Sequence, residues 1–231
     1  LLLKMVPDPK RPLGERALAL LDETDFERPA VALAAASREV MRLAELVEVM
    51  LRESIHTFEE MDDSRRKQIS QLDQRVDELQ ESIKLYLTRL TRNPLGEEVS
   101  RKAFDLILFT TNLEHVGDIL DKTLLAVAAK KQRLQVSFSD EGWRDIKAMH
   151  QEVVEQMRLA VAVFLTQDVE MARRLVVTKD RIRVFERSAA ESHLRRLRAG
   201  TLASIETSSL HLDVIRDLKR IVAHLTNVAY P

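Results

Sequence analysis

The chain has 231 residues, 45% of them hydrophobic and 32% charged, with only 5 Gly and 6 Pro. That mix is rich in helix formers and too poor in turn formers for a β-sandwich. A net charge of −1 argues against nucleic acid as a partner, and the absence of cysteine excludes disulfides, thiolate zinc sites and a cysteine nucleophile while fitting a reducing compartment.

With 4% aromatic residues, the core has to be aliphatic. No apolar run approaches the roughly 20 residues that a membrane-spanning helix needs. Leu1-Leu2-Leu3 is too short for the apolar core of a signal peptide. The chain starts without methionine, which reads as the interior of a longer protein, and residues 1–28 read as a linker with a short N-terminal segment.

Six helices follow in order. Pro29 suits a first helical position, and Leu33, Val40, Ala44, Val47, Leu51, Ile55 and Phe58 come after it at helical spacing. Asp62-Asp63-Ser64 supplies a cap for a second helix. There Ile69, Leu72, Val76, Leu79, Ile83, Tyr86 and Leu90 form a coiled-coil-like seam, and Asn93-Pro94-Leu95-Gly96 ends it.

A third helix is expected from about Glu97 to Gln132. After a break at Leu134 to Phe138, Ser139-Asp140-Glu141 caps a fourth, which carries Ile146, Met149, Val153, Met157, Ala160 and Phe164 on one face. Asp168 caps a fifth helix running to Arg198, before Gly200. Thr207 or Ser208 opens the sixth, with Leu212, Ile215, Leu218, Val222 and Leu225 on one face.

A shift of about 106 residues lays Val76 on Ile182 and Leu79 on Phe185, and nearly the same shift lays Leu113 on Leu218 and Val116 on Ile221. Helices of this length joined by short loops run antiparallel. The expected fold is therefore all-α, two tandem antiparallel three-helix bundles related by a pseudo-repeat, at residues 29–132 and 139–231.

The third helix breaks two local rules in one turn. Glu114, Asp118 and Asp121 share a stripe with Phe104, Ile107, Thr111 and Leu125, so three carboxylates interrupt a largely apolar face. Gly117 costs roughly 1 kcal/mol against alanine inside a helix, and it would let another helix or an ion approach the backbone closely. On the second helix Asp73 and Asp77 form a matching pair. Should the two helices be neighbours, four carboxylates could converge, and oxygen ligands without cysteine suit Mg²⁺, Mn²⁺, Ca²⁺ or iron. The competing reading is a set of surface salt bridges to the many Lys and Arg residues.

The repeat restricts any such ion to the first bundle. Asp73 and Asp77 correspond to Lys179 and Arg183, and Glu114 and Asp118 to Lys219 and Ala223. A cation site cannot survive two acids becoming two bases. The pair Asp213 and Asp217 lies in a different register.

The fifth helix is basic, with Arg173, Arg174, Lys179, Arg181, Arg183, Arg187, Arg195, Arg196 and Arg198. It could face an anionic membrane surface, although pairing with acids inside the protein explains it more simply. Catalytic readings find little support. A di-iron bundle needs two Glu-x-x-His motifs and only Glu53-Ser54-Ile55-His56 fits. There is no Gly-rich phosphate loop and no nucleophile elbow.

The segment Leu113-Glu114-His115-Val116-Gly117-Asp118 resembles the Glu-x-x-Gly-Asp element of PhoU-type phosphate-regulatory proteins. The stretch Glu206-Thr207-Ser208-Ser209-Leu210-His211-Leu212-Asp213, with Arg216-Asp217-Leu218-Lys219-Arg220-Ile221 and Ala229-Tyr230-Pro231, is similar to the cytoplasmic PhoU-like domain of bacterial Na⁺/phosphate cotransporters, as is Arg38-Glu39-Val40-Met41-Arg42-Leu43-Ala44-Glu45.

The resemblance implies two three-helix bundles and acidic motifs that hold metal, iron or zinc clusters in some members. Carried onto this chain, the motif falls on Glu114 and Asp118, with Asp73, Asp77 and Asp121 as companions and Fe, Zn, Mg or Mn as the ion. It further implies a non-catalytic regulatory domain at the cytoplasmic face of the inner membrane. Its partners would be the transmembrane transporter part of the same polypeptide, a signalling protein or another copy. The alternatives are a free-standing adaptor that binds a transporter ATPase or sensor kinase, and a metal-dependent helical-bundle enzyme.

Overall fold

The computed structural model describes residues 21–59, 63–92 and 94–229. Residues 1–20 of the expected linker and N-terminal segment (1–28), Asp62 of the expected cap, Asn93, Tyr230 and Pro231 lie outside the described residues. A 3₁₀ turn, Glu23–Glu27, leads into α1 (Pro29–Ser54). After a second 3₁₀ turn at Ile55–Phe58 come α2 (Ser64–Leu90) and α3 (Glu97–Asp118). A π-helical segment, Ile119–Leu124, joins α3 to α4 (Leu125–Leu134) without a break in the chain's course. The second half holds α5 (Asp140–Thr166), α6 (Val169–Arg198), a short α7 (Leu202–Glu206) and α8 (Ser208–Thr226).

The fold is all-α and forms two helical bundles, α1–α2–α3 and α5–α6–α8, which pack side by side. Each follows from its apolar stripe. Val40, Val47 and Leu51 of α1, Ile69, Val76 and Ile83 of α2, and Leu113 and Val116 of α3 are fully buried. Ile146, Met149, Val153 and Met157 of α5 do the same work in the second bundle, facing Leu218, Ile221 and Leu225 of α8. Burial at this depth stabilises by roughly 1.5–3 kcal/mol per large aliphatic side chain.

The helix boundaries follow local chemistry. Ser139 Oγ accepts from the Gly142 amide and Asp168 Oδ1 from the Met171 amide, so both predicted caps are made. Gln167, in the left-handed region at φ 53°, closes α5 before the Asp168 cap. Asp63 departs from expectation: its carboxylate pairs with Arg66 instead of capping α2. Phe104 and Leu212, placed by spacing among core-facing residues, are exposed at 63% and 43%. The buried positions are those beside them, Ala103 and Leu106 in α3 and Leu210 and Val214 in α8.

The bundles meet along α1 with α5 and along α3 with α8. His150 Nε2 reaches the Leu51 carbonyl at 2.7 Å, and Arg158 pairs with Glu48 at 3.0 Å. At the other seam the Asn112 amide oxygen accepts from Asn227 Nδ2 at 2.8 Å and from His224 Nδ1 at 3.3 Å. Phe109 stacks on Phe164 with ring centroids 4.2 Å apart.

Candidate metal centre

Two elements bring the acids together. The seam of α2 that buries Ile69, Val76 and Ile83 against α3 also turns Asp73 inward, one turn before Val76, while Asp77 follows four residues later at the rim. Asp118 ends the regular part of α3 opposite them. Asp73, Asp77 and Asp118 can each offer one oxygen, and the three oxygens lie within 4.8 Å of one another. Oxygens on opposite sides of a Ca²⁺ stand about 4.8 Å apart and those around Mg²⁺ somewhat closer. The donor set can therefore hold one cation.

Asp73 is the decisive member. It is only 4% exposed, and its Oδ1 has no hydrogen-bond donor among the described residues. Burial, then the fields of Asp77, Asp121 and Asp118, push its carboxyl up to about 7, against the pull of Lys122. Burial likewise raises Asp77 and Glu114 above the ordinary carboxylate range. A fold does not normally bury an unpaired carboxylate among three others, since each unsatisfied charge is costly. An ion between them would offset that cost.

Gly117 makes the approach possible. A Cβ there would lie 2.8 Å from Asp73 Oδ1 and 3.6 Å from Val76 Cγ1. The missing side chain is the space that the Asp73 carboxylate occupies, so the glycine admits the other helix. Gly117→Ala is expected to change the melting temperature little, since alanine gains roughly 1 kcal/mol of helix propensity while the carboxylate is pushed aside. It is expected to weaken cation binding at least tenfold, measured by calorimetry. Unchanged affinity would detach Gly117 from the site.

Glu114 and Asp121 stand at the margin. Glu114 is half-buried, with Oε2 3.6 Å from His115 Nε2, and lies outside the trio of converging oxygens. Asp121 accepts from the Ser70 hydroxyl. The π-helical turn at Ile119–Leu124 begins just after Asp118, and Asp121 within it still faces α2, where its field acts on Asp73 and Asp77. The sequence reading also missed Lys122, whose ammonium pairs with Asp118. Its signal was visible in hindsight as an i,i+4 acid–base pair.

The second bundle confirms the charge reversal. Lys219, at the counterpart of Glu114, pairs with Glu186 at 2.6 Å, and Arg183, at the counterpart of Asp77, pairs with Asp180 at 3.0 Å. Tethered cations fill the place that the first bundle leaves to acids. Along α6, Arg173 pairs with Glu170, Arg181 with Glu152 and Arg196 with Asp145, so much of its positive charge is matched internally.

The PhoU domain model matches this chain twice, over residues 40–124 and 146–230. The chain belongs to the PhoU domain family. The two matched segments are offset by nearly the shift of the pseudo-repeat. YjbB of Salmonella typhimurium, named as a candidate inorganic phosphate export protein, is 35% identical over 210 residues, covering 91% of this chain but 38% of its own length. Its Escherichia coli K12 namesake is 33% identical over the same shares. The chain thus spans well under half of these relatives.

A phosphate-specific transport system accessory protein, PhoU homolog 1 of Thermotoga maritima, is 24% identical, covering 90% of this chain and 88% of that protein. Crystal structures of PhoU from Pseudomonas aeruginosa and of the regulatory protein PhoU from Streptococcus pneumoniae superpose with TM-scores of 0.77 and 0.75. They cover 85% and 87% of this chain and 93% of each of those chains, at 17% and 15% identity, which establishes the shared fold. Of these, one is named as a transport accessory protein and another as a regulatory protein. The expected likeness to sodium-coupled carriers is thus established at the level of the PhoU domain. No helix among the described residues is long and apolar enough to cross a membrane.

Proposed function

We propose that this PhoU domain is a regulator of phosphate transport that acts by binding, using a cation held by Asp73, Asp77 and Asp118 with Glu114 and Asp121 beside them. The observation that carries this reading is the buried, unpartnered Asp73 carboxylate against Gly117, with two further carboxylates in reach. All donors are oxygens, which suits Mg²⁺, Mn²⁺ or iron, with zinc the least matched. The metal-bearing unit is the bundle at 29–132, and the one at 139–231 carries none.

Two settings fit. As an adaptor, the domain would dock on a transporter or sensor protein, and the accessory relative that it covers nearly end to end favours that setting. As part of a longer polypeptide, it would sit at the cytoplasmic face of a membrane beside a transporter domain, sodium-coupled or exporting, in line with the longer export relatives. In either, the ion ties α2 to α3 and so fixes the surface that a partner reads.

The purified domain is expected to bind Mn²⁺ or Mg²⁺ near one per chain, detected by calorimetry and elemental analysis. Glu114→Gln with Asp118→Asn is expected to abolish binding while leaving helical content unchanged by circular dichroism. A domain that takes up no divalent or ferric ion after chelation and reconstitution would refute the site.

A further inference from the structure

Lys122 has no place in the metal reading and yet sits at its centre. Its ammonium pairs with Asp118, whose carboxylate converges with those of Asp73 and Asp77. Lys122 is thus the resident cation of an acidic cluster. An ion bound by Asp73, Asp77 and Asp118 competes with it for the Asp118 carboxylate.

The other side of Lys122 is a crevice of about 370 Å³ between α3 and α8, lined by His115, Asp118, Ile119, Lys122, Thr123, Arg220 and His224. Apart from Asp118 its polar wall consists of hydrogen-bond donors and bases. Arg220 shares Asp217 with Arg216, so that acid is served twice. His224 uses Nδ1 on Asn112, and its ring centroid is 5.0 Å from that of His115. Burial, then His115 and Arg220, hold the His224 imidazole below its usual range.

We propose that a cation at Asp73, Asp77 and Asp118 releases Lys122 into this crevice, where with Arg220, Thr123 and His224 it forms a site for a phosphate dianion. The phosphate is either free or the terminal group of a small monoester. The proposal rests on the metal reading and extends it, because it makes the domain a coincidence detector for metal and phosphate. Without metal, Asp118 occupies Lys122 and its charge repels the anion. With metal, one ammonium is freed beside a guanidinium, the pairing best suited to phosphate oxygens. Linkage then requires each ligand to tighten the other by the same factor.

The experiment is a calorimetric titration of inorganic phosphate, and in parallel of AMP, into chelator-stripped and Mn²⁺-loaded protein. Loading is expected to tighten phosphate at least tenfold, and the tighter of the two titrants names the source of the phosphate. Arg220→Gln with His224→Gln is expected to bind Mn²⁺ like the wild type and lose phosphate, with Arg216 still holding Asp217. Lys122→Gln is expected to bind Mn²⁺ several-fold more tightly and to lose the coupling. Equal phosphate affinity with and without Mn²⁺, or an unchanged Mn²⁺ affinity in Lys122→Gln, overturns the proposal. Failure to bind Mn²⁺ at all removes the metal reading and this one with it.

Discussion

With chelator present, Asp73→Asn is expected to stabilise the protein at pH 8 by roughly 3 kcal/mol, or about 6–12 °C in melting temperature for a chain of this size. The sign follows from proton linkage. Unfolded Asp73 ionises near 3.8, and in the fold its carboxyl is raised to about 7 by burial and by Asp77, Asp121 and Asp118. Between those values the native state holds a proton that the unfolded chain has lost. The contribution of the group to stability is therefore whole below 3.8 and is lost as pH rises through 7.

Asparagine cannot ionise, so its advantage is greatest at pH 8 and shrinks by about 1.4 kcal/mol per pH unit below 7. Buried histidines act in the opposite direction, with His211 held down to about 4 and His150 and His193 also lowered by burial. These cancel in the difference between variant and wild type, which is the quantity to measure.

Saturating Mn²⁺ is expected to invert the order. An ion present at a thousand times its dissociation constant stabilises the wild type by about 4.1 kcal/mol, more than the advantage of asparagine at pH 8, and a variant lacking one ligand gains far less. Thermal melts at pH 5, 6.5 and 8, with chelator and with Mn²⁺, supply all the comparisons. A variant whose gain is the same at pH 5 and pH 8 would show that Asp73 is ionised throughout, and the strained carboxylate would be a misreading.

How far these features could be read from residues alone depends on their range. The helices and their caps at Ser139 and Asp168 are local, and the periodic apolar positions decide them. The convergence of Asp73 and Asp77 with Asp118 was also legible, because a glycine and three acids broke the pattern of the same face. Two things were not. The π-helical turn at Ile119–Leu124 carries no sequence mark in an otherwise regular run. Polar pairs formed between helices distant in sequence, such as Arg196 with Asp145 or His224 with Asn112, depend on packing that no spacing rule reports.

That hidden class includes what is expected to be the largest single destabilisation in the second bundle. Arg196 is 5% exposed and packs at the start of α5, where its Nη1 meets Asp145 Oδ2 at 3.1 Å and Ser192 Oγ at 3.2 Å. Glu141 is more distant, at 3.7 Å, and is already the acceptor for the Ser192 hydroxyl. The neighbouring His193 and His211 rings stack 5.0 Å apart, and His211 Nε2, without a hydrogen bond among the described residues, lies 4.0 Å from the same Asp145 Oδ2.

Asp145→Ala leaves a buried guanidinium beside two imidazoles with its closest counter-charge gone. Breaking a buried pair from one side costs about 3–5 kcal/mol, and because Asp145 is itself 24% exposed the lower figure is expected. Guanidinium chloride melts would show a midpoint shift of that size, while Mn²⁺ binding in the first bundle stays intact. Pairing the change with Arg196→Met should recover most of the loss, because the cost lies in the stranded charge and not in the lost attraction. A loss below about 1 kcal/mol for Asp145→Ala alone would mean that Glu141 swings in to replace it, and the three-helix junction would then be held by its packing and not by its charges.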